Sequence, residues 1–181
     1  MILDRLLARR PARSPAAALY ASAVAQARTP ALYAAMGAPD TVEGRFELLS
    51  LHIILLIDRL KAEGGGRDGV RQALFDIYVS NLDGALREMG VGDLAVAKRM
   101  KDLGGAFYGR AKAYGAAFGA LPDQAILQDV IARTVLAGAE GANAEDLAGY
   151  AARCHEALAA CDIPTLLEGA PPWPAARKTE T

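Results

Sequence analysis

Residues 68–92 read DGVRQALFDIYVSNLDGALREMGVG. Val70, Leu74, Ile77, Tyr78, Leu82, Leu86 and Met89 step through this stretch mainly by threes and fours. That spacing gathers apolar side chains on one face of a helix. Asp68 opens the stretch with an acid and Gly90-Val91-Gly92 closes it, as helix ends require. The spacing predicts a helix over about 69–89. The same punctuation recurs outward from it. Ser14-Pro15 and Thr29-Pro30 each read as an N-cap followed by proline in the first turn, giving helices over about 15–28 and 30–36. Asp40-Thr41-Val42-Glu43 has capping-box spacing ahead of a helix over 41–63, which Gly64-Gly65-Gly66 stops. Asp93 is placed to cap a long helix running to about 119. Pro122-Asp123 restarts a helix to about 138. Asn143, with Glu145 and Asp146, opens one to about Cys161. A short turn follows Pro164. No period-two run rich in β-branched residues interrupts this pattern. The prediction is an all-α, compact single-domain bundle of about six or seven helices.

Composition agrees. The chain has 181 residues, with 52% hydrophobic and 23% charged side chains, enough to bury a core. Alanine supplies roughly a fifth of it and is the strongest helix former. The longest apolar run, Leu48 to Ile57, rises only about 15 Å as a helix, half of what a bilayer demands; it reads as a buried core helix. Residues 1–14 read as a flexible Arg-rich arm, amphipathic through Ile2, Leu3, Leu6 and Leu7. That pattern suits a membrane surface or an organellar presequence. Residues 15–168 form the helical domain, and 169–181 read as a Pro-rich mobile tail. The net charge of -1 argues against DNA binding. It conceals asymmetry: residues 98–112 carry five basic residues and one acid, while residues 120–170 carry eight acids and two arginines.

Chemistry-bearing patterns are sparse. No Gly-x-Ser-x-Gly elbow, His-Glu-x-x-His pair or dinucleotide fingerprint is present, so no catalytic residue and no enzyme activity is expected. His52 sits within the most apolar run without a ligand-forming neighbour on its face, and is expected to be a hydrogen-bonded core residue. Cys154, His155 and Cys161 lack zinc spacing, so neither a metal site nor a cofactor is expected. The segment 97–119 is unusual in holding Gly104, Gly105, Gly109, Gly115 and Gly119, each costing about 0.8–1 kcal/mol against alanine. Two readings stand side by side. Either the glycines admit a close helix contact within the chain, or they form a docking groove with Phe107, Tyr108, Tyr114 and Phe118 as anchors.

A family resemblance lies in the same region. Leu86-Arg87-Glu88-Met89-Gly90-Val91-Gly92-Asp93-Leu94, then Lys98 with Met100-Lys101, then Ala106-Phe107-Tyr108-Gly109-Arg110 appear in order. Upstream stand Gly44-Arg45-Phe46-Glu47-Leu48, Leu51-His52 and Leu74-Phe75-Asp76. Over about residues 30–135 the chain resembles the ubiquinol–cytochrome c chaperone family, assembly factors for cytochrome b of the respiratory bc1 complex. Ala95 and Ala97 depart from residues common in the family.

The resemblance implies a non-enzymatic chaperone whose client is newly made cytochrome b. In mitochondrial members a small co-chaperone and the ribosome take part. The composition suits a bacterial member at the cytoplasmic face of the inner membrane, in peripheral contact with it; a eukaryotic member would work on the matrix side. The residues expected to bind client or partner are Lys98, Arg99, Lys101, Gly105, Phe107, Tyr108, Gly109, Arg110, Lys112 and Tyr114. A structural or binding role is expected for Arg45, Phe46, Asp83, Arg87, Glu88, Gly90, Gly92 and Asp93. Two other functions compete: a ribosome- or RNA-binding module acting through residues 98–112, and a haem- or quinone-handling bundle with His52 as ligand.

Overall fold

A computed structural model describes residues 14–62, 67–139 and 143–177. The Arg-rich arm at 1–13, the Gly64–Gly66 stop and the end of the tail lie outside the described residues. Among the described residues eight helices follow one another: α1 Pro15–Ala27, α2 Pro30–Ala34, α3 Val42–Ala62, α4 Asp68–Glu88, α5 Asp93–Gly119, α6 Ala125–Arg133, α7 Ala144–Ala160 and α8 Ile163–Leu167. Six are long, two are short, and no strand occurs among the described residues.

Helix α3 is the centre. Residues 50–56 are all buried, so its middle is covered on every side, as a core helix must be. Helices α1, α4, α5 and α7 pack around it. The side chains of Ser14 and Asn143 cap α1 and α7 by accepting from the amides of Ala17 (3.2 Å) and Glu145 (2.9 Å), as their sequence positions predict. Three expected caps differ, the first being Thr29, whose side chain makes no cap hydrogen bond to α2. Thr41 receives the Gly44 amide at 3.1 Å, because the Asp40 carboxylate is engaged by Arg45 at 2.6 Å. Gly92 is the N-cap of α5, because Asp93 already lies within the first turn and pairs with Arg87. Helix α6 is also shorter than expected: the amides of Leu136 and Ala137 turn back to Ile131 and Thr134 carbonyls, so irregular turns replace its last residues.

Polar groups in the core are satisfied: among the described residues, no buried side-chain nitrogen or oxygen lacks a partner. His52 is fully buried among them. It donates from Nδ1 to the Leu48 carbonyl (2.7 Å) and accepts at Nε2 from the Tyr150 hydroxyl (2.8 Å). Gln26 donates in turn to that hydroxyl at 2.8 Å. Burial drives the His52 imidazole down to about 4, so it is neutral in the folded chain. Between pH 6.5 and 4 the unfolded chain therefore binds more protons at this residue than the folded chain does. Stability contributed here is present above pH 6.5 and falls as pH drops toward 4. The loss is expected to approach about 3 kcal/mol. Urea unfolding at pH 7 and pH 4.5, with His52→Gln as reference, measures it: the parent chain loses more than the variant. Equal losses contradict the assignment.

Through Arg177 the tail makes contacts with the bundle. Trp173 donates from its indole nitrogen to Ser22 Oγ at 3.0 Å and sets its ring edge against His52 at 5.2 Å. Gln26 donates to the Pro174 carbonyl (3.4 Å) and Arg153 to that of Arg177 (2.9 Å). Tail composition predicts mobility, but one large aromatic with a partner for its N–H outweighs it. Trp173→Ala is expected to cost about 2–3 kcal/mol, read by urea unfolding. Trp173 is the chain's only tryptophan, so parent-chain emission is expected to shift red only when the tail leaves the bundle. A fully solvated emission spectrum in the folded protein contradicts this placement.

Candidate functional site

The residues singled out from the sequence fall into three groups in space. One builds an ion pair at the junction of α3 and α5. Arg110 donates from Nε to Glu47 Oε2 at 2.6 Å and from Nη2 to the other carboxylate oxygen, a bidentate geometry that only guanidinium offers. Glu47 is buried, and its side chain is 10% exposed. The guanidinium also stands over the Phe46 ring at 5.8 Å. Gly44, one turn before Glu47, lets α3 start hard against the preceding loop. A Cβ there would stand 2.0 Å from the Pro39 carbonyl oxygen.

The second group fixes the α4–α5 corner. The Gly90 and Val91 amides return to the Arg87 (2.9 Å) and Leu86 (3.2 Å) carbonyls, with Gly90 at φ 79°. This is the left-handed helix stop that favours glycine. Arg87 ties the corner by pairing with Asp83 at 2.7 Å and with Asp93 across the turn. Gly92 supplies the extended cap residue of α5. Arg87, Asp83 and Asp93 are therefore placed to hold a turn.

The third group is α5, where the ten residues expected to bind divide between two faces. Phe107 and Tyr114 are 3% and 1% exposed. Phe107 packs on Tyr78 and Phe75, and the Tyr114 hydroxyl donates to Thr134 Oγ1 at 2.9 Å. Phe118 is also core. These three cannot act as surface anchors in this state, because the 107–114–118 spacing turns them toward α4, α6 and α7. Arg110 is committed to Glu47. Lys98, Arg99, Lys101, Gly105, Tyr108, Gly109 and Lys112 are exposed. The reading of the glycines as a close contact within the chain does not hold: a Cβ at Gly104, Gly105, Gly109, Gly115 or Gly119 would meet nothing within 4 Å beyond its own helix.

Sequence reasoning did not find a broad cleft on the surface. A cleft of about 1280 Å³ opens between α1, α2, the start of α3 and the last turns of α4. Tyr20, Val24, Tyr33, Val42, Phe46, Leu49, Leu82, Leu86, Met89 and Leu103 line it. It exceeds a small-molecule pocket, for which about 300–1,000 Å³ is usual. Two stretches far apart in sequence, Arg45-Phe46 and Leu86 to Met89, meet there. Val42 and Met89 are 61% and 54% exposed at its rim. Burial raises the Tyr20 and Tyr33 hydroxyls above the usual phenol range, so both stay neutral. Arg45 holds the Asp40 carboxyl below its usual range by hydrogen bonding. Glu43 and Glu88 add acid at the rim. Neither histidine and neither cysteine lines the cleft. The arrangement suits reception of an apolar polypeptide segment with a polar edge.

Elsewhere, the residues once eligible for metal or haem are occupied. Both His52 nitrogens are hydrogen bonded, which removes the ligand that a haem reading requires. Burial pushes the Cys154 thiol up to about 12, leaving it a protonated core residue. His155 stacks on Phe118 at 4.8 Å and meets Asp58 at 3.4 Å. Among the described residues no three potential ligands cluster, and no helix is long and apolar enough to cross a membrane.

Comparison with known proteins agrees with the resemblance in the sequence. A comparison with curated proteins returns no match. The crystal structure of the Cbp3 homolog from Brucella abortus superposes with a TM-score of 0.81 at 35% identity, covering 97% of this chain and 98% of that one. The family model described as ubiquinol-cytochrome C chaperone matches residues 34–173, a span that includes the Glu47–Arg110 pair, the α4–α5 corner and all of the cleft except its α1 and α2 lip. The chain belongs to the ubiquinol–cytochrome c chaperone family.

Proposed function

We propose that this protein is an assembly chaperone that binds newly made cytochrome b and supports biogenesis of the cytochrome bc1 complex, working at the cytoplasmic face of the inner membrane. The observation that carries the reading is the cleft. A client with many apolar helices needs a shielded apolar receptor, and the family segments at 44–48 and 86–89 converge on one. The client segment lays an apolar face on Leu82, Leu86 and Leu49, while Arg28, Arg45, Glu43 and Glu88 meet its polar edge. Burying apolar area of this kind contributes about 25 cal/mol per Å², without any catalytic group. The basic face of α5 lies outside the cleft, so it stays uncovered while a client is held.

Brief crosslinking in the native cells, capture of the tagged protein and mass spectrometry test the reading. Cytochrome b is expected as the dominant partner. Its absence, with unrelated proteins captured instead, contradicts the proposal.

A further inference from the structure

Five large hydrophobic side chains stand exposed among the described residues, and three of them, Met89, Leu94 and Tyr108, belong to the α4–α5 corner and α5. Leu94 is the extreme case at 92% exposure, with Tyr108 at 65%. On α5, Leu94, Lys98, Lys101, Gly105, Tyr108 and Lys112 follow at steps of four, three, four, three and four. Such steps place them on one helix face, and every one of them is exposed. The face runs about 27 Å. The opposite face, through Val96, Phe107 and Tyr114, is core. A leucine at one end, an aromatic near the other, two lysines between them and a third beyond the aromatic form an amphipathic stripe that the fold leaves uncovered. Tyr108 is held in place from behind by the Phe75 ring at 5.7 Å. Asp102 is the one acid between Lys98 and Lys112.

We propose that this stripe rests on an anionic lipid surface, with Leu94 and Tyr108 entering the headgroup region and Lys98, Lys101 and Lys112 meeting lipid phosphates. The chemistry selects lipid over nucleic acid. Lysine stems lie along an apolar boundary while their ammonium groups reach headgroups. A polynucleotide groove tracks phosphate with basic side chains and stacks bases on successive rings; here there is one exposed ring, and a bare leucine gains nothing from phosphate. An interfacial helix of this composition lies in the membrane plane. The inference deepens the membrane placement proposed above and is independent of what the cleft holds.

Flotation of the full-length protein tests it, using vesicles of phosphatidylcholine alone or with roughly 30% phosphatidylglycerol at about 0.1 M salt. Binding to the anionic vesicles is expected, with loss at about 0.5 M salt. Lys98→Gln with Lys101→Gln is expected to lower partitioning about thirtyfold, and Leu94→Gln about tenfold. Ile126→Gln, an exposed apolar residue on α6, is expected to change nothing. Equal binding to neutral vesicles, or none to anionic ones, overturns the proposal. So does an effect of replacing Arg5, Arg9, Arg10 and Arg13 by Gln that accounts for all binding while Leu94→Gln has none. Tight RNA binding that is indifferent to Leu94, with no vesicle binding, assigns the stripe to nucleic acid instead. Client capture is read from the cleft in a separate experiment, so the failure of one leaves the other readable.

Discussion

Arg110→Ala is expected to unfold with about 3 kcal/mol less free energy than the parent chain. The cause is the partner left behind more than the contact removed. Glu47 holds its carboxylate with 10% side-chain exposure against Phe46 and the α3 core. Without Arg110 it is a buried charge with no cation, and desolvation of such a group costs several kcal/mol before any relaxation. Arg110 is 23% exposed, so water entering the gap offsets part of that cost and keeps the estimate at the low end for buried pairs. A domain of this size loses about 2–4 °C in melting temperature per kcal/mol, so a drop of about 10 °C is expected. The double variant Glu47→Leu with Arg110→Met removes both charges and is expected to recover most of the loss. Urea unfolding of the three proteins decides the matter. A cost below about 1 kcal/mol for Arg110→Ala would make the pair an ordinary surface ion pair. The pair also adjoins the cleft, because the same guanidinium backs Phe46, which lines it.

The second large effect is on client capture. Val42→Asp and Met89→Lys, made separately, are each expected to lower it about tenfold while leaving stability within about 0.5 kcal/mol. Both residues are exposed at the cleft rim, so neither substitution empties the core. Each new charge also suits its helix end: an acid at the first residue of α3, a base at the C-terminus of α4. An apolar client segment pressed onto either charge must desolvate it, and that penalty is what lowers binding. Capture measured by crosslinking yield, beside the melting temperature of the same protein, separates loss of the surface from loss of the fold. Unchanged capture with both variants places the client elsewhere.

The sequence is legible wherever a local rule operates. Ser14 and Asn143 have the capping side chain and helix-forming context that define their helices, and Gly90 the stop. His52 reads as core because no ligand-forming residue shares its face, and it is core. The α5 aromatics show where the reading went astray. Phe107 and Tyr108 are adjacent, about 100° apart round the helix, and here the first faces inward and the second outward. The steps from Phe107 through Arg110 to Tyr114 and Phe118 carry that assignment, a core stripe obscured by the glycines around it. The cleft is different in kind. Tyr20, Tyr33, Phe46, Leu82 and Leu103 come from five helices, and no local pattern announces that their packing leaves space. The tail has the same difficulty in reverse: proline and polar composition predict mobility, while the contacts that Trp173 makes with Ser22 and His52 join residues far apart in sequence.

The central claim is that the cleft receives the client. A photocrosslinking amino acid at Leu82, inside the cleft, and another at Ile126, exposed on α6, measure this directly in growing cells. The account predicts a cytochrome b adduct from position 82 and none from position 126. An adduct of equal yield from both positions, or from 126 alone, contradicts it.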